Sequence, residues 1–203
     1  MNKKRFALII VFILSLFSCC GRQDKIDIPA EVRSQGSQTQ NHIIKINIDD
    51  EFTADEEITI EQALKTWEKV SDNYIKFEYI YHQKRPGRLE DYFWEKQYKH
   101  SVFIWKVTSY NISAAFDYRY NNFVGFWDLH GNIVVFTDRI ETNNNQLYNV
   151  LVHEIGHMLG LRHVEYEKSV MQPMAVDISD CITKDDANRL CLIYGCEPKP
   201  ECN

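Results

Sequence analysis

An eleven-residue string from His153 to His163, HEIGHMLGLRH, constrains the fold of this chain more than any other stretch of it. On a helix, His153 and His157 stand four residues apart on one face, so both imidazoles can reach one metal ion. Gly160 can adopt the positive φ that ends a helix, and the returning chain then brings His163 to the same ion. The string therefore predicts an open zinc site with three histidine ligands and a free fourth position.

Glu154 follows the first histidine and is the predicted general base. Three neutral ligands leave the charge of a zinc ion intact, so the pKa of a water on it falls from about 15.7 to about 7, and a neighbouring carboxylate can take the proton. A bare H-E-x-x-H string also occurs on surface helices, where the glutamate is merely ion-paired. Here the apolar residues between and around the histidines predict a buried helix instead. They are Val150, Leu151, Ile155, Met158, Leu159 and Leu161.

A methionine turn follows the histidines. The segment SVMQP places Met171 eight residues after His163, with Pro173 two positions further on. The histidine string with such a turn resembles the metzincin zinc peptidases and, among them, the matrixins, which are the matrix metalloproteinases and their bacterial relatives. The resemblance implies a zinc endopeptidase that hydrolyses extended polypeptides by a metal-activated water, with Glu154 as general base. It also implies that Met171 forms a hydrophobic floor beneath the zinc and is not a ligand.

The fold class implied by the resemblance is α+β: a metzincin-like zincin fold with a twisted mixed β-sheet, a backing helix and an active-site helix. A small C-terminal subdomain with the methionine turn and a final helix completes it. Residues 182–195, ITKDDANRLCLIYG, resemble the matrixin C-terminal helix, with Thr183 as N-cap and Gly195 as terminator. By resemblance, Asp185 hydrogen-bonds backbone in the methionine turn. The alternative is that both acidic residues only stabilise the helix start, and this is what we expect of Asp186.

The substrate pocket is implied by the same resemblance. The side chain after the cleaved bond is expected to lie between the start of the active-site helix, at Asn149 and Val150, and the segment after the methionine turn, at Pro173 and Met174. We expect an apolar residue there. Asn149 either shapes the floor of this pocket or is an ordinary surface residue.

Periodicity predicts the elements before the histidines. Residues 42–49 alternate as a strand, and Thr53 caps a helix whose apolar positions repeat about every 3.6 residues. Further strands are predicted from Tyr74, from Ser101 and at residues 131–136, GNIVVF. We expect the last of these to lie nearest the cleft. In matrixins an edge strand there pairs antiparallel with the substrate backbone.

The N-terminus reads as a targeting segment. Residues 1–18 carry a basic start and an apolar run of about a dozen residues, which suits a signal peptide and is short for a membrane span. The ending LFSC resembles a bacterial lipobox, so Cys19 is the predicted lipid anchor, residues 19–41 a polar tether and residues 42–203 the catalytic domain. Plain secretion is the alternative. We therefore expect an exported lipoprotein at the cell surface or in the periplasm, a monomer that contacts the membrane only through its lipid.

Charge and cysteines restrict the alternatives. Loss of residues 1–18 removes three positive charges, which moves the formal net charge from −6 to −9 and leaves no footprint for nucleic acid. In an oxidising compartment the four C-terminal cysteines predict two disulfides, although a second zinc site is the alternative. A Cys181–Cys191 pair is disfavoured, because a helix between them would separate the two by about 15 Å.

The sequence leaves latency, structural metals and the exact reaction with alternatives. No inhibitory pro-segment with a zinc-binding cysteine is found. Asp24 or Asp27 in the tether could block the zinc site instead, but the simpler interpretation is that both are solvated. The loop that binds structural zinc and calcium in matrixins is not found either; Asp117, Asp128 and His130 are suggestive, but we assign no second metal, and structural calcium is left open. Finally, a catalytically silent peptide-binding relative and a zinc amidase acting on a non-protein amide are the competing functions.

Overall fold

The computed structural model describes residues 42–83, 102–108, 112–113, 117, 123–127, 131–140, 144–165, 168–173 and 181–202. The predicted signal peptide, Cys19 and the tether lie outside the described residues, as do Met174, Asp128 and His130. Among the described residues, no helix is both long and apolar enough to cross a bilayer.

The first strand lies inside the sheet, with a parallel neighbour on each side. Strand β1 (His42–Asp49) has the predicted bounds, and its alternate residues Ile44, Ile46 and Ile48 are fully buried. A period of two places these three side chains on one face, which is the face that the helices cover. Strand β1 pairs in parallel with β2 (Ile75–Gln83) on one side and with β3 (Val102–Val107) on the other.

The backing helix α1 (Ala54–Val70) begins at the predicted cap. Thr53 Oγ1 accepts from the backbone N–H of Glu56, whose carboxylate accepts in return from the N–H of Thr53. This reciprocal capping box satisfies two N–H groups that a helix start leaves unpaired. The buried face of α1 includes Trp67, whose indole Nε1 donates to the carbonyl of Val152 in the active-site helix, 3.0 Å away. This hydrogen bond fixes the position of the active-site helix along α1.

The sheet of the described residues is mixed and has the order β2-β1-β3-β5-β4. Strand β5 (Ile133–Phe136) runs parallel to β3, and β4 (Gly125–Trp127) runs antiparallel to β5 at the edge. The prediction that residues 131–136 form the strand nearest the cleft was wrong, because β4 lies outside β5 and occupies that edge. Strand β4 has three residues and begins with glycine, so it is too short to show a periodic pattern in the sequence.

Both faces of the sheet are apolar. One carries the main core, formed with α1 and the active-site helix α2 (Asn144–Met158). The other carries a smaller aromatic cluster in which the rings of Phe103 and Trp105 stack with centroids 4.4 Å apart. The α+β class and the zincin arrangement that the resemblance implied are confirmed.

The C-terminal subdomain contains helix α3 (Lys184–Tyr194), capped at Thr183 and ended by Gly195 with φ of 74°, both as predicted. Two disulfides, Cys181–Cys202 and Cys191–Cys196, join its ends to the chain terminus. The prediction of two disulfides is confirmed, Cys181 and Cys191 are not paired with each other, and the alternative of a cysteine zinc site is wrong.

Candidate metal centre

Helix α2 presents two of the predicted ligands on one face. His153 and His157 are 7% and 8% exposed, one turn apart, while His163 reaches them from the exposed segment after the helix. The Nε2 atom of His163 lies 3.1 Å from that of His153 and 3.0 Å from that of His157. Among the described residues, these three histidines are the one group of potential ligands that converges in this way.

The return of His163 depends on how α2 ends. Gly160 has φ of 93°, the left-handed conformation that the sequence predicted for it. Its N–H donates to the carbonyl of His157, and the N–H of Leu161 donates to the carbonyl of Gly156, both at 2.9 Å. This pair of bonds is a Schellman motif, which satisfies the last carbonyls of the helix and reverses the chain. Three residues later His163 faces the other two imidazoles.

Backbone carbonyls set the tautomers of the two helical histidines. Nδ1 of His153 donates to the carbonyl of Val170 at 2.7 Å, and Nδ1 of His157 donates to the carbonyl of Leu161 at 2.9 Å. Because a carbonyl only accepts, each Nδ1 carries the proton and each Nε2 presents a lone pair. Burial, partly opposed by these bonds, lowers the pKa of His153 to about 4 and that of His157 to about 3. Both imidazoles are therefore neutral at pH 7.

The donor set fits zinc. Bonds of about 2.0–2.1 Å in a tetrahedral site would put two nitrogens about 3.3 Å apart, close to the separations found here. Two Nε2 lone pairs point at the Nε2 of His163, which can donate one proton at most, so only a shared cation satisfies all three nitrogens. Neutral imidazoles whose second nitrogen donates to a carbonyl are the usual form of histidine ligands.

Glu154 follows His153 on the helix and has a buried carboxylate oxygen without a hydrogen-bond partner among the described residues. Its side chain is 7% exposed, and Oε2 is buried and unpaired within the described part of the chain. Burial raises the pKa of this carboxyl to about 8. Strand β4 packs directly on it: a Cβ at Gly125 would stand 3.3 Å from Oε1 of Glu154 and 2.8 Å from Val150. A larger residue than glycine at that point would displace the carboxylate.

Met171 is fully buried and packs against α2 behind the histidines. A Cβ on Gly156 would lie closer than 3.0 Å to Sδ of Met171, 3.2 Å from its Cε and 3.0 Å from Cζ2 of Trp67. Glycine at 156 thus lets the methionine and the indole of α1 approach the helix backbone at one point. Position 156, between the two helical histidines, was not singled out by the sequence, because the x residues of the string carry no ligand.

Asp186 supports the methionine turn, a role that the resemblance implied for Asp185. Asp186 is fully buried, whereas Asp185 is exposed in the first turn of α3. The carboxylate of Asp186 accepts from Ser169 Oγ at 2.6 Å, Thr183 Oγ1 at 2.8 Å and the N–H of Val170 at 3.2 Å. Asp186 therefore does more than stabilise the helix start. Since the carbonyl of Val170 accepts from His153, the support passes through a single residue, Val170, to a ligand.

Trp127 is a site residue that the sequence did not reveal. Its ring stacks on that of His157, with centroids 5.9 Å apart and planes inclined by 28°. The indole stands on edge strand β4 and is half-buried. In the sequence, Trp127 is an aromatic residue in a segment for which no strand or helix was predicted. An aromatic residue in such a segment is explained equally well by core packing. Among the predicted pocket residues, Val150 is buried beside Gly125, Asn149 is half-buried and Pro173 is exposed.

Comparisons with known proteins agree with this geometry. A model of the family described as Matrixin matches residues 38–195. The chain is 36% identical over 77 residues to interstitial collagenase B of Mus musculus, a match that covers 36% of this chain and 17% of that protein. It is 41% identical over 58 residues to Metalloendoproteinase 2-MMP of Arabidopsis thaliana, covering 26% of this chain and 14% of that protein. The matches thus span less than a fifth of either relative.

A solved structure shows the same fold. The archaemetzincin of Methanopyrus kandleri superposes with a TM-score of 0.52 at 15% identity, over 75% of this chain and 95% of that one. At this identity the likeness concerns the fold alone.

Proposed function

The chain belongs to the matrixin family of zinc metallopeptidases, and on that premise we propose that it is an active endopeptidase that cleaves extended polypeptides. One observation carries the proposal: three Nε2 atoms converge beside a buried carboxylate that has an unpaired oxygen. His153, His157 and His163 would hold the zinc, and Glu154 would be the general base. A buried acid without a partner costs stability, so its presence here favours a catalytic role.

Zinc, when bound there, supplies Lewis-acid polarisation of the substrate carbonyl and activation of a water molecule. Glu154 would take a proton from the attacking water with its carboxylate and would later deliver it to the leaving amine. Burial raises the pKa of Glu154 to about 8, and a cation held by the adjacent imidazoles would lower it, which would favour the carboxylate form at neutral pH. The walls formed by Gly125 and Val150 exclude bulk water from the carboxylate.

The edge of the sheet suggests how a substrate is held. Within the described residues, β4 pairs on one side only, with β5. An extended peptide that added to its other side would run across the front of the histidines, in the β-augmentation mode. Asn149, Val150, Pro173 and Met174 are our proposed walls for the side chain after the cleaved bond, and buried Val150 favours an apolar residue there.

Export is part of the proposal. Residues 1–18 would be removed as a signal peptide, and Cys19 would be lipidated, leaving the enzyme on the outer face of a membrane or in the periplasm. The two disulfides support this location, because such bonds persist mainly in oxidising compartments. Labelling cells with a radioactive or clickable fatty acid tests it: wild type should carry the label and Cys19→Ala should not.

The decisive experiment compares wild type with Glu154→Gln on a peptide library, with and without a chelator, and identifies products by mass spectrometry. Gln keeps the volume of Glu but cannot take a proton, so we expect a loss of activity of about 10²–10⁴-fold with one zinc per chain retained. Chelation should abolish cleavage by wild type. Peptide binding without cleavage by the zinc-loaded wild type would indicate a silent relative, and cleavage of non-peptide amides alone would indicate an amidase. A Glu154→Gln protein that cleaves at the wild-type rate would refute the mechanism.

A further inference from the structure

His163 has less side-chain support than the other two histidines. Its side chain is exposed, and it lies in an irregular segment rather than on α2. His153 and His157 each donate Nδ1 to a backbone carbonyl, but no such bond to Nδ1 of His163 occurs among the residues that the structure describes. The position of this imidazole therefore has to come from the backbone on either side of it.

Both peptide groups that flank this residue are hydrogen-bonded to other parts of the chain. On the C-terminal side, the N–H of Val164 donates to the carbonyl of Met171 at 3.0 Å. On the N-terminal side, the carbonyl of Arg162 accepts from Nη2 of Arg189 at 2.7 Å. That carbonyl belongs to the peptide unit that contains the nitrogen of His163, so holding it restricts rotation of the ligand's own backbone.

Arg189 reaches this carbonyl from helix α3, one turn after Asp186. Its side chain is 25% exposed, and its Nη1 is buried 3.8 Å from Oδ1 of Asp186, an ion pair without a hydrogen bond. The same helix thus supports two ligands. Asp186 accepts from the N–H of Val170, the residue whose carbonyl positions His153, and Arg189 holds the peptide that carries the nitrogen of His163.

We propose that Arg189 is a positioning residue for the third zinc ligand. The inference rests on the proposed function as a zinc peptidase and extends it to a residue outside the histidine string. Arginine suits the task because its planar fork can donate to a carbonyl with one nitrogen while the other faces a carboxylate. Lysine concentrates its charge and its donors on one nitrogen and has no planar fork, so it reproduces this two-point arrangement only in part. In the sequence, this arginine looks like an ordinary surface residue of an amphipathic helix.

The test measures zinc affinity of the purified chain by competition with a chromogenic chelator, and the visible absorption of the cobalt-substituted protein. Arg189→Met keeps much of the aliphatic stem but removes every donor, so zinc affinity should fall about 10–100-fold. Arg189→Lys should restore part of that affinity. Lys184→Met is the matched control, since it removes one positive charge from the exposed start of the same helix. Its affinity and cobalt spectrum should equal those of wild type.

Melting of the zinc-free proteins separates positioning from folding. We expect Arg189→Met and Lys184→Met to melt within a few degrees of each other while only the former loses affinity and alters the cobalt spectrum. Should Arg189→Met fail to fold, the comparison of Arg189→Lys with wild type decides. A folded Arg189→Met protein with the zinc affinity and cobalt spectrum of wild type would overturn the inference. That result differs from failure of the proposed function, in which wild type itself would bind no zinc or cleave no peptide.

Discussion

Replacing Gly156 with alanine tests whether the contact between α2, Met171 and Trp67 is as tight as the structure shows. In a solvated helix this change stabilises by about 1 kcal/mol, because alanine loses less backbone entropy than glycine. Here the new Cβ would overlap Sδ of Met171 and stand 3.0 Å from Cζ2 of Trp67. Both side chains are fully buried, and the indole is also tied to Val152 by its hydrogen bond, so neither can withdraw freely.

The substitution should destabilise the domain. Inserting a methyl group into a well-packed core costs about 1–3 kcal/mol, and the overlap with sulfur places this site near the upper limit. After the helix-propensity gain, a net loss of about 2 kcal/mol remains. For a domain of this size that corresponds to a melting temperature about 4–8 °C lower. Zinc affinity should fall as well, since a displaced Met171 moves the neighbouring Val170 carbonyl that holds His153.

A double-mutant cycle provides the assay. Urea unfolding is followed for wild type, Gly156→Ala, Met171→Ala and the double variant, with zinc removed. Met171→Ala alone should cost about 2–5 kcal/mol by leaving a cavity. In the Met171→Ala protein, an alanine at position 156 no longer meets the sulfur. The loss of unfolding free energy caused by Gly156→Ala should therefore be smaller there by at least about 1 kcal/mol. A Gly156→Ala protein as stable as wild type, or an equal cost in both backgrounds, would refute the packing argument.

Two further predictions concern buried carboxylates. Asp186→Asn replaces one acceptor oxygen by a donor that faces donors, so it should lower the unfolding free energy by about 1.5–3 kcal/mol and zinc affinity about 10–100-fold. The control Asp185→Asn, at an exposed position, should lower the unfolding free energy by less than about 1 kcal/mol. Equal effects of the two substitutions in urea unfolding and chelator competition would restore the role first given to Asp185. In the zinc-free protein, the folded-state pKa of Glu154 is raised to about 8, so the protonated carboxyl contributes stability that is complete below the ordinary pKa of 4.5 and is lost as pH rises through 8. The Glu154→Gln protein has no carboxyl to ionise and so does not lose this stability. The difference in unfolding free energy between the variant and wild type should grow by about 1 kcal/mol between pH 7 and 9, toward a limit of about 5 kcal/mol set by the pKa shift. The histidines are present in both proteins, so their titration cancels in this comparison, and an advantage that is constant with pH in urea unfolding would contradict the raised pKa.

Much of the metal centre could be predicted because its information is local. Eleven consecutive residues contain the helical spacing of His153 and His157, the glycine that ends the helix and the third imidazole. Caps are local in the same way: Thr53 with Glu56, and Thr183 with Gly195, act within a few residues of the helix ends that they define. Strand β1 could be predicted from its alternating apolar residues, since one of its faces is buried along its length.

The distinction between Asp185 and Asp186 could not be made locally. Adjacent residues on a helix differ by about 100° in direction, and both suit the positive end of its dipole equally well. Only the packing of α3 against the methionine turn determines which carboxylate faces Ser169 and Val170. The edge strand β4 raised the same difficulty, because three residues carry no period and their pairing partner lies in another segment.

The sequence by itself thus determined the donor types, their spacing and the helix ends, since these follow from dihedral preferences and side-chain chemistry within one or two turns. The tertiary structure alone decided what holds each donor: Val170 for His153, the Arg189 contact beside His163, and the indoles of Trp67 and Trp127 against α2. These partners lie between about 17 and 85 residues apart or come from different elements, so they meet only when the core closes and most buried polar groups find partners.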